Sequence, residues 1–92
     1  MQVSWKLFAT LREAAGESEI EIEIADSATV ADALEVLLAK HPVVETEAVD
    51  GDELYSHISV VHDGVRVEEP LTSDREVSVN DELALLPPLS GG

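Results

Sequence analysis

The residues whose type and spacing could carry chemistry stand at the end of the sequence: Leu86-Pro87-Pro88-Leu89-Ser90-Gly91-Gly92. Neither of the last two residues has a side chain, so the reactive group there is the carboxylate of Gly92. Pro87 and Pro88 hold the backbone extended and donate nothing to a sheet ladder, so a strand reaching Leu86 must stop there. Beyond them the chain narrows from Leu89 through Ser90 to bare backbone. It can thread a cleft too tight for a Cβ, and glycine accepts whatever φ the cleft imposes. From Pro88 to Gly92 the reach is roughly 13–18 Å at about 3.3–3.6 Å per residue. With glycine at about 7% of residues, a chance Gly-Gly end would arise in roughly 0.5% of chains. We therefore read the stretch as an acyl group on a stiff stalk rather than a loose terminus.

No other constellation competes. His41, His57 and His62 lie among many carboxylates, but no pair has the i, i+4 spacing of a helical metal site. They are read as surface histidines. Asp50, Asp52 and Glu53 match only part of a calcium loop, whose full twelve-residue pattern is absent. Ser4, Ser56 and Ser90 have no nucleophile elbow and no accompanying base. No catalytic residue, cofactor or metal is expected, so the chain reads as a carrier rather than an enzyme.

Composition bounds what such a carrier can meet. Ninety-two residues with 45% apolar content make one domain with one modest core. There is no run of 18 apolar residues and no signal-peptide pattern, so a cytoplasmic protein is expected. The lack of cysteine excludes disulfides, thiolate metal sites and cysteine nucleophiles. Twenty acidic residues stand against five basic ones, for a net charge of −15. That balance excludes nucleic-acid and anionic-membrane binding, which need a basic footprint. The acids are scattered from Glu13 to Glu82, which fits a solvated surface suited to high salt; docking onto a basic partner is the alternative.

The elements that must position the tail follow in order. Val3 to Phe8 alternates as a strand with Val3, Trp5 and Leu7 inward. Ala9 to Ala15 reads as a short helix, capped by Thr10 with Glu13 and stopped by Gly16. Glu19 to Ile24 has strict period 2, three isoleucines against three glutamates. Thr29 to about Ala39 is the main helix, with Thr29 and Asp32 at its start and Val30, Leu34, Leu37 and Leu38 on one stripe. His41-Pro42 closes it, and 43–56 reads as an acidic loop with a turn at Asp50-Gly51-Asp52. His57 to His62 is a third strand, joined by the Asp63-Gly64 hairpin turn to Val65–Val67. Val77 and Val79 are briefly extended, and Glu82 to Leu86 is the last strand, read as central and covered on both faces. The fold class is α+β, a mixed sheet of four to five strands with one main helix packed across it and the first and last strands parallel at its centre. The expected division is a domain over 1–86 and a tail over 87–92.

Three pieces of this order resemble the ubiquitin-like β-grasp sulfur carriers, specifically the small subunit of molybdopterin synthase and the small archaeal modifier proteins. They are Lys6-Leu7-Phe8-Ala9-Thr10-Leu11-Arg12-Glu13, Thr29-Val30-Ala31-Asp32-Ala33-Leu34, and Asp81 through Gly92 with its Leu-Pro-Pro-Leu-Ser-Gly-Gly end. The acidic composition resembles the halophilic archaeal members. The resemblance implies that Gly92 is adenylated with ATP by an E1-like activating enzyme and then converted to a thiocarboxylate. It implies sulfur donation with the large subunit of molybdopterin synthase, or isopeptide formation with a lysine of a target protein; service in transfer-RNA thiolation is a further alternative. Pro87, Pro88, Ser90 and Gly91 would thread the tail into partners, and Phe8, Leu86 and Leu89 would form an apolar docking patch. Two features depart from the family pattern. Leu86 stands where many relatives carry an aromatic residue, and 43–56 is longer and more acidic than the simplest form.

Overall fold

The computed structural model describes residues 1–55 and 57–87. The first strand, β1 (Gln2–Leu7), pairs antiparallel with β2 (Glu19–Glu23) and parallel with the last strand, β7 (Glu82–Leu86). On the other side β7 pairs antiparallel with β5 (Ser59–His62), which pairs with β6 (Val65–Val67). The sheet order is β2-β1-β7-β5-β6, so the first and last strands lie side by side in parallel at the middle, as their apolar patterns require. Asp63 and Gly64 join β5 to β6 with φ of 49° and 84°; both lie in the left-handed region that a two-residue hairpin turn demands.

The main helix α2 (Val30–Lys40) packs across one face. Thr29 accepts from the Asp32 amide at 3.2 Å while Asp32 accepts from the Thr29 amide at 3.0 Å, a complete capping box. Its buried stripe of Val30, Leu34, Leu37 and Leu38, joined by Ala33, meets Val3, Trp5 and Leu7 of β1, the β2 isoleucines, Val60, Leu83 and Leu85. Each fully buried leucine contributes about 1.5–3 kcal/mol relative to exposure. Trp5 is fully buried, and its indole Nε1 donates to the Ala33 carbonyl at 3.2 Å, binding sheet to helix.

Several expectations are corrected. The region read as an acidic loop holds a third helix, α3 (Pro42–Ala48), and a small hairpin of β3 (Val49–Asp50) and β4 (Glu53–Leu54) about Gly51. Pro42 does not merely end α2: at the first position of α3 its fixed φ starts a new helix, and Val44 and Ala48, four apart, bury together. Helix α1 (Ala9–Ala15) begins at Ala9 with Phe8 at its N-cap, so Thr10 lies inside it and caps nothing; Gly16 closes it at φ 80° as expected. The third strand starts at Ser59 rather than His57. Val77 is buried beside a bridge between Thr29 and Glu76, whereas Val79 is exposed in a turn. A 3-10 turn, Pro70–Thr72, packs near α2. Finally, β7 is covered on one face only: Leu83 and Leu85 are buried, while Ala84 and Leu86 are half-buried on the face that carries no helix. The strand's apolar run reflects a central position in the sheet and a partly apolar open face.

Candidate functional site

Strand β7 ends at Leu86, and the surroundings of that end follow from register. Leu85 sits opposite Leu7 across the parallel pair, and Leu86 sits opposite Ser59 across the antiparallel pair. One step further along β1, Phe8 continues in extended backbone and falls beside Leu86. Because side chains alternate across a strand, Phe8 and Leu86 share the open face, with Leu7 and Leu85 turned into the core. Phe8 is 43% exposed, an unusual position for a phenylalanine in a domain with few aromatic residues. Immediately after it Ala9 adopts φ 51°, a left-handed conformation that costs a non-glycine residue roughly 1–2 kcal/mol. That turn swings the chain into α1 and leaves the Phe8 ring on the open face. Pro87, half-buried, follows Leu86. Pro88, Leu89, Ser90, Gly91 and Gly92 lie outside the described residues.

The same face holds cations that the sequence reading did not place. Ala84 lies between Lys6 and Val61, and Arg66 flanks Val61 from β6. Lys6 forms an ion pair with Glu82, Nζ to Oε1 at 2.5 Å, and its hydrogen bond with that carboxylate raises the lysine above its ordinary value. A groove lined by Lys6, Phe8, Arg12 and Glu19 runs beside the patch. Three of the chain's five basic residues therefore border the apolar strip near the end of β7, in a molecule of net charge −15. The signal was available: Lys6 and Phe8 share the parity opposite to Val3, Trp5 and Leu7, which face inward.

Sequence reasoning misplaced one histidine. His62 is buried, not on the surface. It continues the inward parity of Ile58 and Val60, which is where that error was legible. Arg75 Nε donates to His62 Nδ1 at 2.7 Å, and an arginine nitrogen can only donate, so Nδ1 is the acceptor. The ring proton then sits on Nε2, which donates to Asp81 Oδ2 at 2.7 Å. Asp81 also accepts from the Ser78 amide at 2.7 Å; that backbone bond first, and the His62 bond second, hold its carboxyl below the usual range. Asp63 completes the group, accepting from the Glu82 amide at 2.7 Å. The ligand atoms of His62, Asp63 and Asp81 lie within 4.8 Å of one another, yet the imidazole has no free lone pair for a metal while Arg75 holds Nδ1. The arrangement is a strut that fixes the loop leading into β7.

A five-stranded mixed sheet with a central parallel pair, one helix across a single face and an apolar patch where the last strand ends defines a ubiquitin-like β-grasp domain. The chain belongs to the ThiS family, whose model matches residues 5–92. It is 42% identical to small archaeal modifier protein 1 of Haloferax volcanii, over 98% of this chain and 100% of that protein. It is 32% identical to the molybdopterin synthase sulfur carrier subunit of Chlamydomonas reinhardtii, over the full length of both. The crystal structure of the Haloferax volcanii SAMP1 superposes with a TM-score of 0.86 at 40% identity and covers all of both chains. The Amycolatopsis orientalis BexX/CysO complex matches at a TM-score of 0.76 and 25% identity, covering 97% of this chain and 98% of that one. Among the described residues no helix is long and apolar enough to cross a membrane.

Proposed function

We propose that the chain is a non-catalytic sulfur carrier whose β-grasp body, 1–86, presents a tail, 87–92, for activation at the Gly92 carboxylate. The observation that carries this reading is the route of β7: it runs through the middle of the sheet, ends at Leu86 beside Phe8, and hands the chain to Pro87. Full-length similarity to a small archaeal modifier protein and to a molybdopterin synthase sulfur carrier subunit supports it.

A carboxylate is a poor electrophile, so the chemistry needs a leaving group. The Gly92 carboxylate attacks the α-phosphorus of ATP on an E1-like activating enzyme, forming an acyl adenylate and releasing pyrophosphate. Hydrosulfide, HS−, then adds to the acyl carbon, the C–O bond to AMP breaks, and AMP and a proton depart, leaving a thiocarboxylate. Its sulfur is donated during molybdopterin synthesis with the large subunit of that synthase as partner. The carrier itself supplies reach and docking: Phe8, Leu86 and Leu89 as apolar anchors, and Pro87, Pro88, Ser90 and Gly91 as the segment that threads the partner's cleft. Similarity to a partnered carrier, CysO in its complex with BexX, supports a docking role. The likeness to the modifier protein favours a second reading, in which the adenylate is attacked by a target lysine and an isopeptide bond forms with loss of AMP.

Removing Gly92, or appending one residue after it, tests the assignment. Misplacing a reacting atom by about 1 Å can cost about 10²-fold in rate. Both variants should fold normally and fail to exchange pyrophosphate with ATP in the presence of the activating enzyme. Retained exchange in the extended protein, without trimming, would refute the proposal.

A further inference from the structure

The helix side of the molecule carries a feature that the tail chemistry does not use. A groove of about 420 Å³ opens between the β3–β4 hairpin and the 3-10 turn, lined by Leu54, Pro70 and Leu71. A second, of about 320 Å³, continues along α2 and shares Asp52 and Leu71 with the first. Ala31, Glu35, Leu38 and Ala39 form its long wall, at i, i+4, i+7 and i+8 on one face of α2, and so span about 12 Å of helix at 1.5 Å per residue. The floor is apolar: Val49, Leu54 and Leu71 are half-buried and pack onto the core.

The charged residues of the rim are all acidic. Glu35, Glu45, Asp52, Glu53 and Glu69 line the two lobes, all exposed, and no lysine or arginine is among the lining residues. The grooves of the open side each include Lys6, and the one beside Phe8 adds Arg12. Cations thus border the open-face grooves and are missing from the lining of this one. The acidic coat supplies these carboxylates; what sets the groove apart is that they surround the half-buried apolar side chains Val49, Leu54 and Leu71 with no cation among the lining residues.

We infer that this helix-side groove is a docking site for a basic amphipathic helix of a partner protein, with two or three leucine-like side chains in the trough and lysine or arginine on the rim carboxylates. A helix is the occupant because the long wall is itself a helix face, which offers no backbone ladder, and the neighbouring hairpin strands are only two residues each. The groove lies on the opposite layer from the Phe8–Leu86 patch, so an occupant here leaves the open face uncovered.

The test uses the full chain and a synthetic lysine–leucine peptide with leucines at i, i+3, i+4 and i+7 spacing, titrated in about 0.15 M salt and followed by amide chemical shifts. Saturable shifts centred on Leu54, Leu71 and Glu35 are expected. A peptide of equal charge with serine in place of leucine should bind about tenfold more weakly or worse, because it lacks the anchors. Glu35→Lys with Glu53→Lys, both exposed positions, should weaken binding about tenfold, whereas the charge-matched Glu21→Lys with Glu23→Lys on β2 should change it less than about threefold. Equal binding of the serine peptide, shifts spread over β2, equal effects of the two double variants, or no saturable binding would each overturn the inference.

Discussion

His62 and Asp81 stand 2.7 Å apart, Nε2 to Oδ2, and that bond ties the end of β5 to the turn from which β7 starts. With Arg75 on the other ring nitrogen, the strut fixes the origin of the last strand. Asp81→Asn removes the charged acceptor from a nearly buried partner and should cost about 1–3 kcal/mol at pH 7, measured by urea unfolding. The pH dependence has a definite sign. The Asp81 carboxyl is held below its ordinary value of 3.8, so its stabilisation is complete above that pH and is lost as pH falls through the lower folded value. The wild type should lose stability below pH 3.8 by an increment that Asp81→Asn lacks; identical acid limbs in the two proteins would show that the strut contributes nothing.

Docking at the tail's exit is a separate matter from stability. Leu86→Asp and Phe8→Asp each place a charge on the open face, where Phe8 is 43% exposed and Leu86 half-buried. Both should stay folded and weaken binding to the activating enzyme by at least tenfold, about 1.4 kcal/mol, more than they lower unfolding free energy. Calorimetric titration against the partner, paired with thermal unfolding, measures both quantities. Unchanged affinity in a folded Leu86→Asp protein would remove Leu86 from the interface.

Trp5, the sole tryptophan, joins β1 to α2 through the Ala33 carbonyl. Trp5→Phe keeps an aromatic ring but loses the donor and part of the volume, and should cost about 1–3 kcal/mol through the cavity and the unmade bond. Circular dichroism in urea follows the change. A midpoint equal to the wild type's would show that neighbouring side chains refill the site.

Net charge −15 makes salt a stability variable. The Debye length is about 30 Å at 0.01 M and about 3 Å at 1 M salt, against a radius of gyration of 12.0 Å. The thermal midpoint at pH 7 should therefore rise from 0.01 to 1 M KCl, with much of the gain well below 1 M. Gains at several molar would reflect strengthened apolar burial instead. Protonating carboxylates near pH 4–5 should relieve the same repulsion at low salt, above the window in which Asp81 acts. A flat salt series would shift the explanation of the charge toward a basic partner.

Parts of the molecule were legible in the sequence because one signal acted alone. Period-2 isoleucines fixed β2, the Thr29–Asp32 cap fixed the start of α2, and Asp63-Gly64 fixed a hairpin. The 43–56 region misled because Pro42 serves as both a stop and a start, and acidic side chains hid the Val44–Ala48 pair. His62 misled because residue type outweighed its parity with Val60. The parity of Phe8 with Lys6 was legible, but its position beside Leu86 came from the pairing of Leu7 with Leu85, a contact between the two ends of the chain that no local pattern encodes. The tail's role rests on residue types and on the exit geometry at Leu86 and Pro87, since 88–92 lie outside the described residues.

The most direct test of the central claim is the intact mass of the protein after incubation with ATP, its E1-like activating enzyme and a sulfur donor. The account predicts a mass gain of one sulfur-for-oxygen replacement, located by fragmentation at Gly92, that requires ATP and disappears when Gly92 is deleted. An unchanged mass, with activating enzyme shown competent on another carrier, would contradict it.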